Sequence, residues 1–153
     1  MKVFVDTNVI IEYLIARERV GAAKQAIDWL VENRNEIYMS VGSFYTILYS
    51  VDKYIRKELF PPKDLRLNML RGIARGLLAN YRVAEHDNKT LLQAITDLRF
   101  SDLEDSCQLQ AAIKCECQIL LTFNDKDYPT TDSMPIKVLT PETFIETHIK
   151  GAE

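Results

Sequence analysis

Gln118-Ile119-Leu120-Leu121-Thr122 has no charged residue and three consecutive large aliphatic side chains. A strand with one wet face alternates apolar and polar residues. An unbroken apolar run suits a strand covered on both faces, as in a parallel sheet. Similar β-type runs occur at 2–5, at 37–41, more weakly at 81–84, and at 136–139. Between them the apolar residues recur every three or four positions, which predicts helices. These span 9–16, 21–33, 43–59, 65–79, 88–98 and 103–115. The helix over 43–59 has its apolar stripe on Phe44, Ile47, Leu48, Val51 and Ile55. Pro61-Pro62 separates it from the next helix, and Pro141-Glu142 opens a terminal one. Ser101-Asp102-Leu103-Glu104 matches a capping box. Residues 123–135 read as a polar loop. Strands alternating with helices predict an α/β fold. Its mostly parallel sheet of four or five strands would have helices on both faces.

Composition agrees with a globular domain. The chain has 153 residues, 47% of them apolar and 27% charged, with only five Gly and five Pro. Nineteen basic against 22 acidic residues give a formal net charge of −3. Nucleic acid would therefore be met by a local basic patch or a bound cation, not by the whole surface. Neither a secretory leader nor a membrane span is read from the sequence. Three cysteines, Cys107, Cys115 and Cys117, are an odd set without the spacing of a disulfide framework. A reducing, cytoplasmic setting is expected.

Parallel sheets of this kind bind ligands at the carboxyl ends of their strands. That rule selects Asp6 after the first strand, and Asn124 and Asp127 after the run at 118–122. Asp102 and Asp105 stand three apart at a helix start and share a face. Converging carboxylates repel one another unless something neutralises them. Oxygen donors without thiol or imidazole select a hard ion such as Mg²⁺ or Mn²⁺. Such an ion serves phosphodiester hydrolysis. Each acid also has a plainer reading. Asp6 and Asp102 suit helix caps, Asp105 suits a helix dipole, and Asp125, Asp127 and Asp132 suit a solvated loop.

Three segments carry a resemblance. Val3-Phe4-Val5-Asp6-Thr7-Asn8-Val9-Ile10 resembles the opening signature of PIN domains. Ser101-Asp102-Leu103-Glu104-Asp105-Ser106 resembles their central acidic motif. Leu120-Leu121-Thr122-Phe123-Asn124-Asp125-Lys126-Asp127-Tyr128 resembles their closing strand and loop. The motifs stand in the family's order and spacing, which implies a single PIN-like domain over 1–153. The style is that of the VapC-like toxin ribonucleases of type II toxin–antitoxin pairs. The resemblance implies a Mg²⁺- or Mn²⁺-dependent endoribonuclease that cuts single-stranded RNA. The matching catalytic and metal positions are Asp6, Asp105 and Asp127. Thr7 and Asn8 would orient Asp6, Asn124 would be a polar companion, and Asp102 an extra acid. The resemblance further implies a homodimer and a cognate antitoxin.

The chain departs from the pattern at two positions. Thr46 stands where many relatives carry a Glu, which removes one carboxylate. This keeps open the alternative of a weakened or inactive PIN module that binds RNA or a protein. Phe123 stands where an Arg is frequent. For RNA phosphates the candidates are Arg71 and Arg75, one turn apart on the helix 65–79. Tyr45, Tyr49 and Tyr54 are expected in core or dimer packing rather than on bases. A phosphatase using Asp6 as nucleophile would need an acid two residues later. Asn8 is there instead.

Overall fold

The computed structural model describes residues 1–129 and 134–152. Part of the expected loop, with Asp132, lies outside them. Five strands form one sheet in the order β3-β2-β1-β4-β5, and every neighbouring pair is parallel. They are β1 (Lys2–Val5), β2 (Glu36–Ser40), β3 (Tyr81–Ala84), β4 (Ile119–Leu121) and β5 (Lys137–Leu139). The helices are α1 (Thr7–Ile15), α2 (Val20–Glu32), α3 (Val41–Tyr54), α4 (Lys63–Asn80), α5 (Asn88–Thr96), α6 (Leu103–Lys114) and α7 (Pro141–Phe144).

The period-two geometry of a strand divides the core into two layers. Val3, Val5, Ile37, Met39, Ile119 and Leu121 face one side, in a cluster with α1, α2, α3 and α7. Phe4, Tyr38 and Leu120 face the other, in a cluster with Leu109, Ala111 and Ala112 of α6. The three residues of β4 are all buried, so the run that predicted a doubly covered strand is one. The alanines of α6, Ala111 and Ala112, are fully buried in this second layer.

Several boundaries differ from the sequence reading. The helix expected over 43–59 is α-helical only to Tyr54; a π-helical turn, Ile55–Leu59, completes it. Ile47, Val51 and Ile55 are buried, as their stripe requires. Tyr45 and Tyr49 are not in the core: they stand 68% and 65% exposed, on the opposite side of the same helix. The cap of α6 is Asp102 rather than Ser101. Its Oδ1 accepts from the Glu104 amide at 2.7 Å. Asp102 sits one residue closer to the first turn, where the free amides are.

The order of strands places the site. From β1 the chain moves outward through β2 to β3, then crosses back to β4 on the other side of β1. The connections therefore leave in opposite directions at the carboxyl ends of β1 and β4. This is the crevice where open parallel sheets hold ligands.

Candidate active site

Asp6 follows the last residue of β1, and its backbone amide donates to Leu121 O at 2.9 Å. It also caps α1: Oδ1 accepts from the Thr7 amide at 2.6 Å. Oδ2 accepts from Asn8 Nδ2 at 2.9 Å and from the Thr122 hydroxyl at 2.8 Å. Asn8 spans the crevice. Its Nδ2 also donates to Thr122 Oγ1 at 3.1 Å, and its Oδ1 accepts from the Phe123 amide at 3.1 Å. The Asn124 amide donates to Thr122 Oγ1 at 3.0 Å. Two residues after β1, Asp6 and Asn8, are thus tied to two residues after β4, Thr122 and Phe123.

Asp6 is only 4% exposed and has no cationic partner among the described residues. Burial is the main reason its carboxyl is pushed up to about 7. The Thr122 hydrogen bond opposes that rise, and the nearby charge of Asp105 adds to it. Asp105, in the first turn of α6, is buried and pushed up to about 6. Burial is again the largest cause, followed by the charges of Asp102 and Asp127. The Tyr128 hydroxyl lies 3.5 Å from Asp105 Oδ1 and donates toward it.

A buried polar cluster supports the pair. The Thr7 hydroxyl donates to Ser43 Oγ at 2.8 Å. Gln108 Nε2 donates to Thr7 Oγ1 at 3.1 Å and to Ser43 Oγ at 2.9 Å. Ser40 Oγ accepts from the Ser43 amide at 2.9 Å. Gln108 stands one helical turn after Asp105, so this cluster locks α6, α1 and α3 together beneath the two carboxylates.

Not every selected residue joins them. Asp127 ends a 3-10 turn, Asp125–Asp127, and is exposed; its charge acts on Asp105. Among the described residues no group of three or more acidic, histidine or cysteine side chains is close enough to hold a metal ion. Without a neutralising charge, a third carboxylate is better solvated at the rim than beside the other two. Asn124 is exposed at that rim, and Asp102 is occupied as a cap. Thr46 is exposed on α3 and makes no hydrogen bond to either carboxylate. Arg71 and Arg75 are exposed on α4; Arg71 Nη1 donates to Asn68 Oδ1 at 3.3 Å. Thr122, Ser43, Gln108 and Tyr128 were not selected as site residues from the sequence. Only Thr122 carried a signal, as the polar end of the strand paired beside Asp6.

Two buried carboxylates at the crevice of a β3-β2-β1-β4-β5 parallel sheet, with a third acid exposed at the rim, define the class. The chain belongs to the PIN domain family, whose sequence model matches residues 2–126. It is similar to Ribonuclease VapC1 of Aquifex aeolicus (strain VF5), with 33% identity over 147 residues, covering 95% of this chain and 94% of that protein. The fold is shared with a chain of VapBC2 from Rickettsia felis bound to a DNA fragment from their promoter. The TM-score is 0.62 at 16% identity, over 92% of this chain and 98% of that one. It is shared too with a chain of FitAB bound to the IR36 DNA fragment. There the TM-score is 0.64 at 15% identity, over 91% and 94% of the two chains. VapBC-1 from nontypeable Haemophilus influenzae gives a TM-score of 0.60 at 15% identity, over 93% and 99%. Among the described residues no helix is long and apolar enough to cross a membrane.

Proposed function

We propose that this protein is a divalent-cation-dependent endoribonuclease that cuts single-stranded RNA, and that it is the toxin of a type II toxin–antitoxin pair. The observation that carries the reading is the burial of two carboxylates, Asp6 and Asp105, near the crevice between β1 and β4, where the charge of Asp105 acts on Asp6. The likeness to Ribonuclease VapC1 supports the activity, and the likeness to chains of VapBC complexes supports an antitoxin partner.

The donors fit Mg²⁺ or Mn²⁺. They are all oxygens, and a cation would offset the burial and the neighbouring like charges that raise both carboxyls. Asp6 and Asp105 would hold it, with Asp127 contributing from the rim. When bound, such an ion stabilises charge on a phosphodiester and acidifies a water. The chain's own residues prepare for this. Asn8 and Thr122 fix the Asp6 Oδ2 edge, the Thr7 amide fixes Oδ1, and Tyr128 steadies Asp105. Asn124 borders the substrate cleft. Arg71 and Arg75 would meet backbone phosphates farther along the strand. As in many such proteins, the working form would be a homodimer. The domain would extend over 1–153, in the cytoplasm.

Cleavage of a labelled single-stranded oligonucleotide with Mn²⁺, and its arrest by chelator, tests the reading. The exposed Thr46, which adds no carboxylate, favours a second one: a PIN module that binds RNA or a protein without cutting. Calorimetry separates the two. Absence of Mn²⁺ binding up to millimolar metal would favour the second reading. The phosphatase alternative fails on Asn8, whose side-chain amide is engaged with Asp6 and Thr122 and is no acid for a leaving group.

A further inference from the structure

The closing motif lacks a basic residue at Phe123, yet a guanidinium stands there. Arg19, from the loop before α2, lies over the Phe123 ring with its guanidinium carbon 3.8 Å from the centroid. Glu142, in the first turn of α7, grips the same group. Arg19 Nε donates to Oε1 at 3.1 Å, and Nη2 to Oε1 and Oε2 at 2.8 and 2.9 Å. The Arg19 backbone amide donates to Oε1 of the buried Glu12 on α1 at 2.5 Å. The side chain is nevertheless 43% exposed. It borders a cleft of about 380 Å³ lined by Phe123, Thr140 and residues 124–127.

The charge balance decides what the cleft takes. Glu142 neutralises Arg19, and Asp125 and Asp127 outweigh Lys126. Apart from a cation held beside Asp127, a phosphate would meet no net positive charge. A flat, uncharged ring would meet a held guanidinium plane backed by an aromatic ring, and bases stack on such planes. The volume lies in the range of small-ligand pockets, about 300–1,000 Å³. The cleft also adjoins the carboxylates: Asn8 accepts from the Phe123 amide and donates to Asp6. We infer that this cleft is a base-binding subsite, in which Arg19 on Phe123 stacks one unpaired nucleobase of the RNA strand beside the bond to be cut. The inference rests on the ribonuclease reading and adds a specificity residue to it.

The test compares the parent chain with Arg19→Ala and Arg19→Lys on a fluorescent single-stranded RNA with Mn²⁺. Cleavage and anisotropy binding are measured across a salt series, after circular dichroism confirms that both variants are folded. Stacking on the guanidinium plane predicts that both variants raise KM and Kd about tenfold, with kcat nearly unchanged and the salt slope the same. An abasic nucleotide at one position near the cut should cancel the difference from parent. Lysine restoring parental KM, or alanine lowering the salt slope by about one, would mean a phosphate contact and overturn the inference. Unchanged KM and Kd would overturn it as well. A parent chain that binds but never cuts defeats the ribonuclease reading alone, because the binding comparison still decides the subsite. No binding at all defeats both.

Discussion

Asp6 holds three hydrogen bonds and an unfavourable charge at once. Its carboxyl is raised from 3.8 to about 7, so over that interval the folded chain keeps a proton that the unfolded chain has lost. Unfolding then releases the proton, and stability falls as pH rises through this window. The most Asp6 alone can cost by pH 8 is of the order of 4 kcal/mol. Asp105 adds a change of the same sign between 3.8 and about 6. Thermal melts in chelator should therefore show the protein more stable at pH 5 than at pH 8. Asp6→Asn should flatten that dependence; an unchanged slope would mean that Asp6 is not the buried acid. Thr122→Val leaves Asp6 Oδ2 without a hydroxyl donor and should cost about 1–3 kcal/mol in denaturant titrations at pH 8. Of these residues the acids were legible in the sequence, because they follow strands or open helices. Gln108 was not, since a buried glutamine within an apolar helix looks like a surface one until its partners, Thr7 and Ser43, fold against it. Arg19 was not legible either: its anchor Glu142 lies 123 positions away.

Among the elements, α6 matters most. Its first turn offers Asp105, its next turn joins Gln108 to Thr7, and its alanines are fully buried. Gln108→Leu removes the donor that joins α6 to α1 and α3. The expected cost is about 1–3 kcal/mol in urea unfolding. A neutral result would mean that packing alone places α6. Helix α1 ends where Ala16 takes a left-handed conformation at φ 53°, and that reversal starts the loop that delivers Arg19. Glycine tolerates this conformation at no steric cost. Ala16→Gly should therefore leave stability unchanged or raise it by up to about 1 kcal/mol, measured by thermal melt. A clear loss would show that alanine's limits on the unfolded chain outweigh its strain. Strand and helix identities were readable from periodicity, which reports the covered face of each element. The outward side of α3 was not. Tyr45 and Tyr49 have the residue type of core positions but fall off the Ile47–Val51–Ile55 stripe. The π-helical turn after α3 shifts registry without any break in composition, so no sequence signal marked it.

Across the whole molecule, strand order places the candidate site. Moving from β1 to β3 on one side and back to β4 on the other opens a crevice. Asp6 and Asn8 then meet Thr122 and Phe123 there, although more than a hundred positions separate them. The motifs made that meeting readable, because each stood after a strand or at a helix start. The position of Asp127 was not readable, because a loop acid faces water or the pocket according to the charge it meets there. A cation that binds the folded chain and not the unfolded one raises the melting temperature. Millimolar Mn²⁺ should therefore stabilise the parent at pH 8 and leave Asp105→Asn unmoved. The most direct measurement is the rate of single-stranded RNA cleavage with Mn²⁺ by the parent, Asp6→Asn and Asp105→Asn, prepared at equal fold content. The account predicts cutting by the parent, arrest by chelator, and a loss on the order of 100-fold or more in each variant. Cleavage by Asp6→Asn at the parental rate would contradict it.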